Sequence, residues 1–166
     1  MSEHYEIRRN GTWVEVELPP YPDMSEAVGE ELDRLCDEVR AHPFYLDRDY
    51  ALYAVLSGYR NNICVEPIAL PRGFPEDVSE SVRGQMMRTH VHPSWYTLDE
   101  LLAFDWDQPL RDQNLTEDGI KRRGWRDLQT YRDVAADTEF LTRLLPNLRG
   151  LVDDPRDLRM VFWFAD

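Results

Sequence analysis

Between Asp47 and Trp106 the chain concentrates residue types that bind or transform small molecules. His90-Val91-His92 places two imidazoles one residue apart. On a strand both rings would point to one side and could begin a metal site. A zinc site needs further ligands, and the other histidines are His4, near the terminus, and His42, which precedes a proline. The longer-range spacing of zinc signatures is missing, so the expectation is no metal, with the two rings hydrogen-bonded to backbone or solvent. Ser94 follows His92 closely, but no GxSxG elbow presents it as a nucleophile, and a loop hydrogen bond is the simpler role.

Tyr59-Arg60-Asn61-Asn62 stands where an apolar run, Tyr50–Leu56, gives out at Ser57-Gly58. Arg60 could hold a phosphate or carboxylate there, with the amides setting orientation. The same residues also suit a helix C-terminus, where Arg favours the dipole and Asn tolerates a left-handed cap. Arg72, between Pro71 and Gly73, faces the same cleft or makes a turn. Trp95 could pack against a ligand ring, although Trp95, Tyr96, Phe104 and Trp106 also read as core and rim packing. Tyr59, Arg60, Asn61, Arg72, His90, His92, Ser94 and Trp95 are the candidate ligand-binding set. No catalytic residue can be named. No P-loop, Rossmann glycine pattern, EF-hand, kinase set or CxxC pair is present, so no cofactor is expected.

The elements that must position these residues are legible from pattern. Residues 4–18 alternate about Asn10-Gly11, a strong hairpin signal. Residues 24–41 place Met24, Ala27, Val28, Leu32, Leu35, Cys36 and Val39 on one helical face, with Asp23 and Glu26 as a capping box. The run from Asp49 to Ser57 is apolar nearly all round, a buried helix capped by Asp47 or Asp49 and ended by Gly58. A short strand is expected in Ile63–Leu70, and one helical turn after Pro75 in an otherwise irregular stretch to Gly84. Thr97 and Glu100 form a capping box for a further short helix. Residues 105–120 read as a loop, and helix resumes from Trp125, with Leu128, Tyr131 and Ala135 and then Phe140, Leu141, Leu144, Leu145 and Leu148 facing inward. Pro146 must kink or end it. Leu158 to Phe164 is β-branched and aromatic on both faces, as in a central strand that pairs with the hairpin. The expected fold is one α+β domain over 1–166, a small, mostly antiparallel sheet packed with about four helices.

The chain carries 42% hydrophobic and 31% charged residues, globular values. Its net charge of −13 repels phosphate backbones and the anionic membrane leaflet, so neither nucleic acid nor membrane is an expected partner. Lys121-Arg122-Arg123 is the single basic cluster and is too short to track a phosphate backbone. The charge suits a solvated surface or a basic protein partner. Cys36 and Cys64 lack CxxC spacing and read as small buried hydrophobes. The first residues lack the basic and apolar regions of a signal peptide, and no apolar run approaches a membrane span, so a cytoplasmic location is expected.

Four blocks carry a resemblance. Tyr50 to Asn61, Pro71-Arg72-Gly73 with Pro75 to Ser79, His90 to Trp95 with Thr97 to Leu102, and Val161-Phe162-Trp163-Phe164 resemble blocks of a family of small uncharacterised bacterial and bacteriophage proteins. The resemblance implies an accessory or counter-defence role, of the kind filled by small binders of a host protein or a signalling nucleotide. It implies no catalytic residue. The leading expectation is therefore a non-catalytic binding protein with a cleft for a small anionic ligand. The alternatives are an enzyme dependent on His90, His92 or a metal, and an acidic immunity- or antitoxin-like interaction module with a basic protein partner. Oligomeric state is left open.

Overall fold

The computed structural model describes residues 1–85, 90–111 and 130–165. The expected loop at 112–120, the helix start at Trp125 and Leu128, and Lys121-Arg122-Arg123 lie outside the described residues, as does the side chain of His90.

The chain forms a single α+β domain around a four-stranded antiparallel sheet. The strands are β1 (Ser2–Arg9), β2 (Thr12–Glu15), β3 (His90–Thr97) and β4 (Leu158–Ala165). Their order is β2-β1-β4-β3. Asn10 and Gly11 take the left-handed conformation, φ 52° and 82°, that a tight hairpin turn requires. As expected, the C-terminal strand is central: β4 pairs with β1 from Ile7↔Leu158 to Ser2↔Trp163. Its alternation fills both faces. Leu158, Met160, Phe162 and Phe164 enter the main core, whereas Val161 and Trp163 form a second cluster with Val78 and Val82.

The main core is roofed by α2 (Tyr50–Ser57), in which Leu52 to Ser57 are all buried. Asp49 caps it by accepting from the Ala51 and Leu52 amides at 2.7 and 3.4 Å, and Gly58, φ 72°, ends it. A short helix α3 (Glu80–Gln85) covers the outer sheet face, a few residues later than the turn expected after Pro75. The helix α4 (Leu98–Ala103) starts as expected, with the Glu100 carboxylate accepting from the Thr97 amide at 2.9 Å.

The helices α5 (Tyr131–Ala135) and α6 (Leu145–Arg149) are joined by a wide turn in which the Leu144 amide donates to Glu139 O at 3.1 Å. That wide turn lets Pro146 enter at the start of α6, where its missing N–H costs nothing.

The expectations for the first helix, for residues 63–70 and for the cysteines are corrected. The first helix, α1, spans Glu30–Ala41 and not 24–41, because Gly29 sits at φ 58° and breaks the helical path. Asp23 accepts from the Ser25 amide in a turn and caps no helix. Leu35 is the buried residue of α1, whereas Val28 is 77% exposed. Residues 63–70 form no strand; the Glu66 and Ile68 amides each find a single partner, Arg111 O and Val55 O. Both cysteines are only half-buried.

Candidate functional site

The buried helix α2 must shed its last carbonyls where it meets the sheet edge, and Gly58 in the left-handed region turns the chain there. Arg60 at φ 47° and Cys64 at φ 53° continue a tightly wound loop. Asn61 staples that loop: its side-chain amide donates to Val65 O at 2.6 Å and its Oδ1 accepts from the Val65 amide at 3.0 Å. The Asn61 amide is therefore spent on the backbone and shapes the wall.

Across from this loop, β3 carries a bulge between Val91 and Ser94, with His92 at φ 50°. The bulge interrupts the regular strand on which the expectation of two paired imidazoles rested, and the side chain of His90 lies outside the described residues. His92 is exposed and sets its ring edge-on to Tyr59 at 5.4 Å. Tyr59 in turn stacks on Phe164 at 4.0 Å and 11°. An open cleft of about 330 Å³ lies between loop and bulge, lined by Ser57, Gly58, Asn61, Cys64, Pro71 and His92, with Pro67 and Leu70. More apolar than polar surface faces it.

Arg60 lies against the same tyrosine. Its guanidinium lies 5.4 Å from the Tyr59 ring and 5.1 Å from the Tyr50 ring, and it donates to the Tyr50 hydroxyl at 3.0 Å. It has no carboxylate partner among the described residues. The Tyr59 and Tyr50 hydroxyls beside it push its pKa upward, so it is charged at any working pH.

Arg72, Ser94 and Trp95 belong to a different cluster. Arg72 pairs with both oxygens of Glu100 at 2.8 and 2.9 Å and donates to Trp95 O at 3.2 Å. Its guanidinium lies 5.1 Å from the Trp95 ring and 4.7 Å from that of Tyr96. Burial raises the Glu100 carboxyl, but the Arg72 hydrogen bonds and the Thr97 amide outweigh it and hold the carboxyl below its usual value. Ser94 is fully buried, and its hydroxyl accepts the Arg72 amide at 3.3 Å. Arg72 and Ser94 are thus committed to holding the turn after Pro71 onto β3, and Trp95 packs beside Val78 and Val82 on the outer face.

The structure therefore brings Tyr59, Arg60, Asn61 and His92 together and separates Arg72, Ser94 and Trp95 from them. Sequence reasoning missed Ser57, Gly58 and Cys64 as parts of the wall. Cys64 was legible only as an apolar-flanked thiol, and its left-handed backbone leaves no mark in the sequence. His4, set aside for its position, pairs through Nδ1 with Glu15 at 2.8 Å and stacks on Trp163 at 4.6 Å. Ser81 donates to Glu15 rather than to His4, so the trio lacks the nucleophile-to-base bond of an acyl-transfer site.

Among the described residues no group of three or more His, Cys, Asp or Glu side chains could hold a metal ion, and no helix is long and apolar enough to cross a membrane. Comparison with known proteins finds no matching family model, no matching curated protein and no matching solved structure.

Proposed function

We propose that the chain is a non-catalytic binding protein whose ligand is small and anionic. The anionic group rests against Arg60 and the exposed edge of His92, and the less polar remainder enters the cleft beside Gly58, Cys64 and Pro71. One observation carries this reading: Arg60 is a charged guanidinium without a carboxylate partner among the described residues, next in sequence to the cleft residue Asn61 and against Tyr59, whose ring meets His92 of the cleft wall. On a surface of net charge −13, an arginine in that position favours a single anionic group locally while the surroundings repel polyanions. Of the polar groups around the cleft, Asn61 and Ser57 are committed to backbone carbonyls, at 2.6 and 3.4 Å, which favours binding over turnover at those two side chains. A role as an accessory or counter-defence protein of a bacterium or phage, acting in the cytoplasm, is in keeping with such a binder.

Thermal unfolding in the presence of phenyl phosphate, inorganic phosphate and phenol tests the reading. Phenyl phosphate should raise Tm most, phosphate less, and phenol little, because the charge anchors and the ring fills the cleft. Arg60→Ala should remove the phosphate effects without lowering the ligand-free Tm. Equal stabilisation by phenol, or full stabilisation of the variant, would overturn it.

A further inference from the structure

A second groove, of about 360 Å³, opens where α4, the residues that follow it and α6 meet. Its floor is fixed. Leu101 of α4, Trp106 and Leu145 of α6 are buried. The Trp106 indole donates to Leu101 O at 2.9 Å, its ring lies 5.6 Å from that of Phe140, and its carbonyl accepts the Arg132 amide at 2.7 Å. The rim is apolar and open to solvent: Leu102 is 44% exposed, Pro146 is exposed and Leu141 is half-buried. More apolar than polar surface lines the groove. Leu141 belongs to the wide turn, Phe140–Leu144, which follows Glu139 at φ 54°. Turns of this i→i+5 kind, and non-glycine residues held in the left-handed region, recur where a binding site is shaped.

The charged side chains in the lining are both arginines, Arg132 and Arg149. Arg132 is spent on Asp107, which accepts from its Nε at 2.6 Å and from its Nη2 at 3.1 Å. Arg149 is not. Its Nη1 donates to Val152 O and its Nη2 to Asp153 O at 3.0 Å, and among the described residues no carboxylate lies within ion-pair distance of it. Carbonyl oxygens orient a guanidinium without cancelling its charge, and arginine is charged at any working pH. An apolar groove with one uncompensated cation in its lining suits an apolar chain that ends in an anion. Its volume stands at the small end of the range for ligand pockets, about 300–1,000 Å³. On a chain of net charge −13 a small monoanion meets the least long-range repulsion, whereas a second copy or an acidic peptide brings many carboxylates at once.

We propose that this groove binds a small aliphatic carboxylate, its chain along Leu101, Leu102, Trp106 and Leu145 and its anionic end against Arg149. The groove shares no lining residue with the cleft at Gly58 and His92, so the two sites stand or fall separately.

The test is a titration of the isotope-labelled chain with octanoate, followed by NMR of the amides and indoles. Octanoate should give saturable shifts at Leu102, the Trp106 indole, Leu141, Leu145 and Arg149. Octanol, with the same chain and no charge, should bind there at least about tenfold more weakly, and octylammonium should not saturate there. Arg149→Met should remove the advantage of octanoate over octanol. Leu102→Glu, at an exposed residue, should weaken octanoate by about tenfold or more. Val28→Glu, the same charge change at an exposed residue outside the groove, should alter it by less than about twofold. Circular dichroism and Tm establish that each variant is folded. No saturable shifts, octanol or octylammonium binding as tightly as octanoate, an advantage that survives Arg149→Met, or undiminished binding by Leu102→Glu would overturn the proposal. So would shifts centred on Gly58, Asn61 and His92, which would give the ligand to the other cleft. A sedimenting dimer that Leu102→Glu dissociates would overturn it too, since the groove would then be occupied by a second copy.

Discussion

Arg159 on the central strand donates through Nε to Glu6 Oε2 at 2.7 Å, and both side chains are almost wholly withdrawn from solvent. The other oxygen of Glu6 accepts the Ser79 amide at 2.7 Å, and Arg159 Nη1 reaches Asp77 at 2.7 Å. The guanidinium also lies 4.1 Å from the Trp13 ring. This pair ties the segment that leads into α3 down onto the outer face of the sheet. Glu6→Ala would leave a buried guanidinium half-paired and should cost roughly 3–5 kcal/mol by urea unfolding. Replacing both members, Glu6→Leu with Arg159→Met, should cost clearly less, because no uncompensated charge remains. If the double variant is as unstable as Glu6→Ala, the penalty lies in packing and not in the orphaned charge.

Glu3 faces the α2 side of the same sheet. Burial pushes its carboxyl from the ordinary 4.5 up to about 7. Burial first, and the neighbouring Glu3 second, also raise the hydroxyls of Tyr5, Tyr21 and Tyr53. The folded chain thus keeps a proton that the unfolded chain releases near 4.5. Stability contributed by this group is full below 4.5 and is lost as pH rises to about 7. Glu3→Gln should flatten urea midpoints across that window and stabilise the protein at pH 8. An unchanged slope in the variant would show that Glu3 ionises freely in the folded state.

Gly58 offers a clean separation of strain from sterics. A methyl group there would meet nothing closer than Pro67 Cγ at 3.8 Å, an ordinary contact, yet φ is 72°. Gly58→Ala should therefore cost about 1 kcal/mol, from the backbone alone, and should loosen the turn that forms the cleft wall. Gly84, with no neighbour within 4 Å and no positive φ, is the control: Gly84→Ala on α3 should be neutral or stabilising. Equal effects at the two positions would contradict the strained turn.

The parts of the fold legible in sequence were those set by local chemistry. Asn10-Gly11 specified the hairpin, Gly58 and a cap at Asp47 or Asp49 bracketed α2, with Asp49 the one used, and the two-sided apolar run at Leu158–Phe164 specified the central strand. What was not legible depended on partners distant in sequence. The stripe from Met24 to Val39 is a helical pattern, but a pattern cannot say that Gly29 would break it or that the core would end at Leu35. At the site, Asn61 and His92 line one cleft because an exiting helix meets a bulged strand, and Tyr59 links His92 to Arg60 through ring contacts. Arg72 looked equally suited to an anion, and only Glu100, 28 residues away, shows where its charge is used.

The central claim, an anion held at Arg60 with its apolar portion in the cleft, is tested most directly by amide-resolved NMR titration of the isotope-labelled chain with phenyl phosphate. The expected result is saturable shifts confined to Gly58, Tyr59, Arg60, Asn61, Cys64 and His92, absent in Arg60→Ala. Shifts centred on Arg72, Trp95 and Glu100, or no saturable shifts in the wild-type chain, would contradict it.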